Sequence, residues 1–182
     1  MVRYNPFFWI LKALIYFVDR RIQVNGGVIE SVAYGRRDNR FWLATRYFSW
    51  GKFWNVIRVE TQLRFAKRII WGSPYEWEID TTNICQLKCP LCHTGKGTIH
   101  RDQGVMDFDL FTKVVDQIKH SCLWLTLYSW GEPLLNQRIH EYIEYAHKQK
   151  IATIISSNLN KPLTPLMAEQ VIRSGLDVMI VS

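Results

Sequence analysis

Asn83-Ile84-Cys85-Gln86-Leu87-Lys88-Cys89-Pro90-Leu91-Cys92 is the stretch on which the reading of this chain turns. Three cysteines stand within eight residues, spaced Cys-x-x-x-Cys-x-x-Cys. Their thiolates suit three corners of a cubane [4Fe–4S] cluster, with Pro90 stiffening a loop that must wrap one small object. A cluster kept for electron transfer normally has four cysteine ligands. Three leave one iron open to something else, which points to catalysis.

The flanking sequence has a strand–loop–helix grammar. Tyr75, Trp77 and Ile79 alternate with Glu76, Glu78 and Asp80, the period of a strand that leads straight into the cysteines. Asp107 is placed to cap a helix whose apolar face is Leu110, Phe111, Val114, Val115 and Ile118. Cys122 to Tyr128 is nearly continuous apolar sequence, as in a strand covered on both faces. Gly131-Glu132-Pro133 breaks the chain, and Asn136 is expected to cap a helix carrying Ile139, Tyr142, Ile143 and Ala146. Ile151–Ser156 reads as a third strand. Thr164-Pro165 should open a helix that ends near Ser174-Gly175, and Asp177–Ser182 begins a fourth strand.

Alternating strands and helices imply a parallel sheet with right-handed crossovers. In barrels of this kind ligands sit at the C-terminal ends of the strands. The unusual residues fall there: the cysteines after strand one, Gly-Glu-Pro after strand two, Ser157-Asn158 after strand three. The fold class expected is α/β, a partial (β/α) barrel with four strands, preceded by a mainly helical basic segment.

Charge divides the chain. Residues 1–75 carry a net +9 and five of the eight tryptophans, whereas residues 76–182 carry −2. Two regions are expected, a basic Trp-rich segment over 1–73 and the metal-bearing part over 74–182. Phe7–Val18 is a twelve-residue apolar stretch broken by Lys12, shorter than the roughly 20 residues a membrane span needs. It reads as a buried helix or an interfacial one. After an irregular region around Asn25-Gly26-Gly27, a second helix shows an apolar stripe at Phe53, Val56, Val59, Leu63, Ala66 and Ile70, with basic residues on other faces. Such a helix docks on its own domain or meets an anionic surface. The fourth cysteine, Cys122, reads as a small buried hydrophobe. Clustered thiols in a chain of this size argue for metal in a reducing compartment, not for disulfides.

Cys85-x-x-x-Cys89-x-x-Cys92 after a first strand, with Trp130-Gly131-Glu132-Pro133 after the second, resembles the radical S-adenosylmethionine superfamily. With Thr82-Asn83-Ile84 and Gly104-Val105-Met106, it resembles the branch that often carries a SPASM-type auxiliary-cluster domain. The resemblance implies a [4Fe–4S] cluster on Cys85, Cys89 and Cys92, with S-adenosylmethionine chelating the open iron. One electron then cleaves the sulfonium bond, and the 5′-deoxyadenosyl radical takes hydrogen from a substrate, a peptide or natural product. It also implies cofactor contacts at Leu91, Trp130, Gly131, Glu132 and Pro133, at Ser157 and Asn158, and at Ser182. Two positions depart from the usual pattern: Leu91 stands where the family usually has an aromatic residue, and Trp130 where it usually has glycine.

The implied partners are that substrate and a reducing electron donor such as flavodoxin or ferredoxin, in the cytoplasm, with peripheral membrane contact through the basic segment. No nucleic-acid partner is expected. Six βα units are usual in the superfamily, so a chain ending after four strands is expected to be a fragment. Two competing readings remain. One is a zinc-stabilised module whose Trp-rich leader binds nucleic acid; the other is an inactive truncated homologue serving as a scaffold.

Overall fold

The computed structural model describes residues 46–65, 69–98, 100–161 and 163–182. The expected helix at Phe7–Val18, the irregular region near Asn25 and the stripe position Ala66 lie outside them. The compact unit that holds every described residue begins at Arg46.

Among the described residues ten elements follow one another: α1 (Trp50–Arg64), β1 (Glu76–Glu78), a short α2 (His93–Lys96), α3 (Phe108–Ile118), β2 (Trp124–Thr126), a 3-10 turn (Pro133–Leu135), α4 (Ile139–Lys148), β3 (Ala152–Ser157), α5 (Pro165–Arg173) and β4 (Val178–Val181). The strands form one parallel sheet in the order β1-β2-β3-β4. Register pairs Trp77 with Leu125, Leu125 with Thr153, and Ile155 with Met179. Sequential parallel order puts each crossover on the same side and sends all strand C-termini to one rim. This is the α/β, partial-barrel architecture expected from the sequence.

Local chemistry explains the boundaries. The Asp107 carboxylate accepts the Leu110 N–H at 2.9 Å, capping α3. Thr164 accepts the Met167 N–H at the start of α5, with Pro165 at the first helical position. Gly175 takes the left-handed conformation after α5 (φ 88°). It also lies against His147, whose ring a β-carbon there would strike at 2.6 Å. The core gathers Phe111, Val115, Leu125, Leu127, Ile139, Tyr142, Ile143, Ile151 and Ile155 between the sheet and α3–α5. Cys122 is buried in it and donates to the Trp124 carbonyl; burial pushes its thiol up to about 12. Among the described residues no helix is long and apolar enough to cross a membrane.

Three details differ from the sequence expectation. Leu110 faces outward, so α3 packs through Phe111, Val115 and Ile118. Asn136 is not the cap of α4: the 3-10 turn intervenes, Arg138 takes the cap position, and buried Asn136 accepts the Arg138 N–H. The apolar stripe of α1 does not form its buried face. Lys52, Asn55 and Gln62 are buried while Leu63 is 69% exposed. The face is rotated because polar groups of the sheet unit supply partners: the Lys52 ammonium donates to the Lys150 carbonyl at 2.6 Å, and the Asn55 amide exchanges two hydrogen bonds with Ser73.

Candidate active site

The cysteine loop is a closed structure. Its two ends are zipped by Thr82, paired with Val105, and by Asn83. The Thr82 hydroxyl donates to the Gly104 carbonyl, and the Asn83 amide accepts from the Gly104 N–H and donates to the Asp102 carbonyl. These bonds give Thr82-Asn83 and Gly104-Val105-Met106 a shared structural task. They hold a long polar loop in place without a sheet to pair with. Within it Cys89 is exposed, Cys85 and Cys92 are half-buried, and all three are free thiols. The Cys92 N–H donates to the Cys89 carbonyl, and α2 begins at once. A β-carbon on Gly95 would lie 2.6 Å from the Cys89 backbone, so glycine lets α2 fold back on the loop. Leu91 stands at the tip, 90% exposed.

The strip after β2 lies along the base of this loop. The Glu132 N–H donates to the Ile84 carbonyl at 2.9 Å. The Trp130 N–H donates to the Asp80 carboxylate, and the Thr94 hydroxyl to the Trp130 carbonyl at 2.6 Å. Exposed His93 sets its ring edge-on to Trp130. Gly131 passes so close to Thr82 that a β-carbon would overlap the Thr82 carbonyl oxygen; only glycine fits there. Burial raises the Asp80 pKa, opposed by the N–H groups of Trp130 and Ser129.

The end of β3 joins the same network. The Glu132 carboxylate, 4% exposed, accepts the N–H groups of Leu134 (3.2 Å) and Asn158 (2.9 Å). The Asn158 side chain reaches Cys85 Sγ at 4.0 Å. The buried Ser157 hydroxyl closes a turn onto the Leu159 N–H. Ser182, after β4, donates its N–H to the Ser157 carbonyl. Pro133 is buried at the start of the 3-10 turn. Cys85, Gly131, Glu132 and Asn158 are therefore brought together directly, with Ser182 beside Ser157 at the rim and Leu91 apart at the loop tip. Asp80, Gln86 and Thr94 were not singled out from sequence. Asp80 carried one signal: it is the last charged residue before the first cysteine.

The three thiols are soft donors of the kind that iron–sulfur clusters take. Among the described residues no group of three His, Cys, Asp or Glu side chains is gathered as a single metal ion requires. Each thiolate of a cubane binds a different iron, so its ligands stand apart by the width of the cluster. Cys85, Cys89 and Cys92, free thiols on one loop, are the residues that would hold it.

The sequence profile of the Radical SAM superfamily matches residues 79–182. This chain belongs to the Radical SAM superfamily. It is 31% identical over 87 residues to the protein YfkA of Bacillus subtilis, covering 45% of this chain and 23% of that one. It is 28% identical over 106 residues to the tungsten-containing aldehyde ferredoxin oxidoreductase cofactor-modifying protein of Pyrococcus furiosus, covering 57% and 29%. The chain thus spans less than a third of these curated relatives. Among solved structures it is similar to BtrN in complex with AdoMet and 2-DOIA, with a TM-score of 0.53, 19% identity, and coverage of 60% of this chain and 46% of BtrN. At that identity the likeness bears on the fold, and the fold agrees: a partial barrel of the Radical SAM type.

Proposed function

We propose that this chain belongs to an enzyme that holds a [4Fe–4S] cluster on Cys85, Cys89 and Cys92 and binds S-adenosylmethionine beside it to abstract hydrogen from a substrate. Superfamily membership supports the general chemistry. The observation that carries it to these residues is the bond from the Glu132 N–H to the Ile84 carbonyl, which lays Trp130–Pro133 against the residue before the first ligand cysteine.

When bound, such a cluster supplies the electron that cleaves the sulfonium bond of the cofactor; the protein's task is to bind, orient and exclude. Cys85, Cys89 and Cys92 would give three thiolates and leave one iron for the cofactor's amino and carboxylate groups. Trp130 offers a carbonyl with one lone pair engaged by Thr94 and the second free in direction for an ammonium donor. Gly131 lets that strip approach the loop backbone. Glu132 fixes the strip by its buried carboxylate and ties it to β3, so Asn158 keeps station at the rim. Ser157 and Ser182 extend the same rim toward a bound nucleoside, and Leu91 offers backbone groups from the loop tip. A peptide or small molecule is the substrate class this reading favours, with a low-potential donor such as flavodoxin or ferredoxin as electron source.

Anaerobic reconstitution tests the assignment. The chain should take up about four irons and four sulfides and turn brown, and Cys89→Ala should lose most of both. A colourless protein holding zinc, or a Cys89→Ala variant with a full cluster, would defeat it.

A further inference from the structure

The side chain of Asn158 is held by more bonds than a rim contact needs. Its Oδ1 accepts two donors, Gln86 Nε2 and the Asn160 N–H, both at 2.9 Å. Its backbone N–H is locked onto the buried Glu132 carboxylate. With both acceptor directions of Oδ1 taken, the amide can face one way only, and its NH2 points at Cys85 Sγ, 4.0 Å away. Gln86 completes the arrangement. It lies between the first two cysteines, and its Oε1 is 3.9 Å from the same sulfur, which as a thiol donates to it. Once Cys85 is a ligand it has no proton to donate. The Gln86 contact then lapses, while the Asn158 N–H faces a sulfur carrying charge, a stronger kind of hydrogen bond.

We propose that Asn158 is a positioning residue that donates a hydrogen bond to the Cys85 sulfur and so sets the reduction potential of the cluster; this rests on the cluster assignment above. Hydrogen bonds to cluster sulfurs are one of the terms that fix iron–sulfur potentials. Reduction adds negative charge to the cluster, so a donor at its sulfur stabilises the reduced form and raises the potential. Gln86 serves as the brace that orients the amide.

The test is a potentiometric titration of the full reconstituted chain, followed by the electron paramagnetic resonance of the reduced cluster, without S-adenosylmethionine. Asn158→Asp keeps the shape and the two bonds to Oδ1 but replaces the donor with an acceptor. Asn158→Leu removes the donor. Both should hold iron as the wild type does and titrate at more negative potential, Asp further than Leu. Gln86→Leu should shift the midpoint the same way and less. Midpoints that coincide with the wild type, or move positive, overturn the proposal. Loss of the cluster from both Asn158 variants overturns it too, since a tuning donor is dispensable for assembly. A wild-type chain that takes up no iron defeats instead the assignment beneath it.

Discussion

The backbone N–H of Asn158 lies 2.9 Å from the Glu132 carboxylate, so one buried charge joins the loop after β2 to the loop after β3. Its other oxygen accepts the Leu134 N–H. The acid of the Gly-Glu-Pro motif therefore acts through its side chain as a brace, in addition to whatever its backbone offers a cofactor.

Glu132→Gln should be destabilising despite its shape. An amide has one acceptor oxygen where the carboxylate has two, so either Leu134 or Asn158 would face an NH2 group. The expected loss is about 1.5–3 kcal/mol, read by thermal unfolding, with weaker S-adenosylmethionine binding by the reconstituted protein. An unchanged melting temperature would show that the carboxylate is not a brace.

Gly131→Ala forces a methyl group into the Thr82 carbonyl, and two backbone segments cannot both keep their places. Overpacking of this kind costs about 1–3 kcal/mol, and displacement of a positioned group by about 1 Å can lower a rate on the order of 100-fold. Cofactor cleavage should fall by that order while the three cysteines still hold iron. Alanine at position 104, where a β-carbon meets nothing, is the control.

On the opposite rim, Tyr47 anchors the start of the described chain to the sheet unit. Its hydroxyl lies 2.7 Å from His147 Nδ1 and donates to Asp177 at 3.2 Å; the Asp177 side chain, fully buried, also accepts from Arg46 and the Thr153 N–H. Tyr47→Phe should cost about 1–2 kcal/mol and lower the melting temperature by roughly 2–8 °C. Arg46→Met, which breaks a half-exposed ion pair, should cost less than about 1 kcal/mol. Equal effects would place the anchoring in the ion pair.

Alkaline titration should show a maximum in stability. Burial pushes the Lys52 ammonium down from 10.5 to about 8, so above pH 8 the unfolded chain binds a proton that the folded chain has released, and stability rises. Burial raises Cys122 from 9.0 and Tyr47 from 10.0, each to about 12, so the folded chain holds their protons longer and stability falls from about pH 9 upward. Denaturant midpoints across pH 7–11 should therefore climb and then drop. Lys52→Met should remove the climb and Cys122→Ala part of the drop.

Much of this architecture was legible locally. Alternation marked β1, nearly continuous apolar sequence marked β2, and Asp107, Thr164 and Gly175 punctuated their helices as their side chains and backbone freedom require. The docking face of α1 was not legible, because periodicity measures where apolar residues cluster and not what the neighbouring surface demands. Here that surface presents the Lys150 and Ser73 carbonyls, and polar Lys52 and Asn55 answer them. Asp80 escaped notice for a related reason: its partner Trp130 is 50 residues away in sequence.

The Cys-x-x-x-Cys-x-x-Cys spacing, the βα order and the placement of special residues at strand ends follow from the sequence alone, since spacing, capping and period are properties of neighbouring residues. Only the tertiary structure decided that Glu132 braces Asn158, that Gly131 must be glycine because of Thr82, and that an asparagine amide faces one of the three sulfurs. Those relationships join segments from different strands. Parallel register and packing bring them within hydrogen-bond reach, and no local rule of sequence encodes that distance.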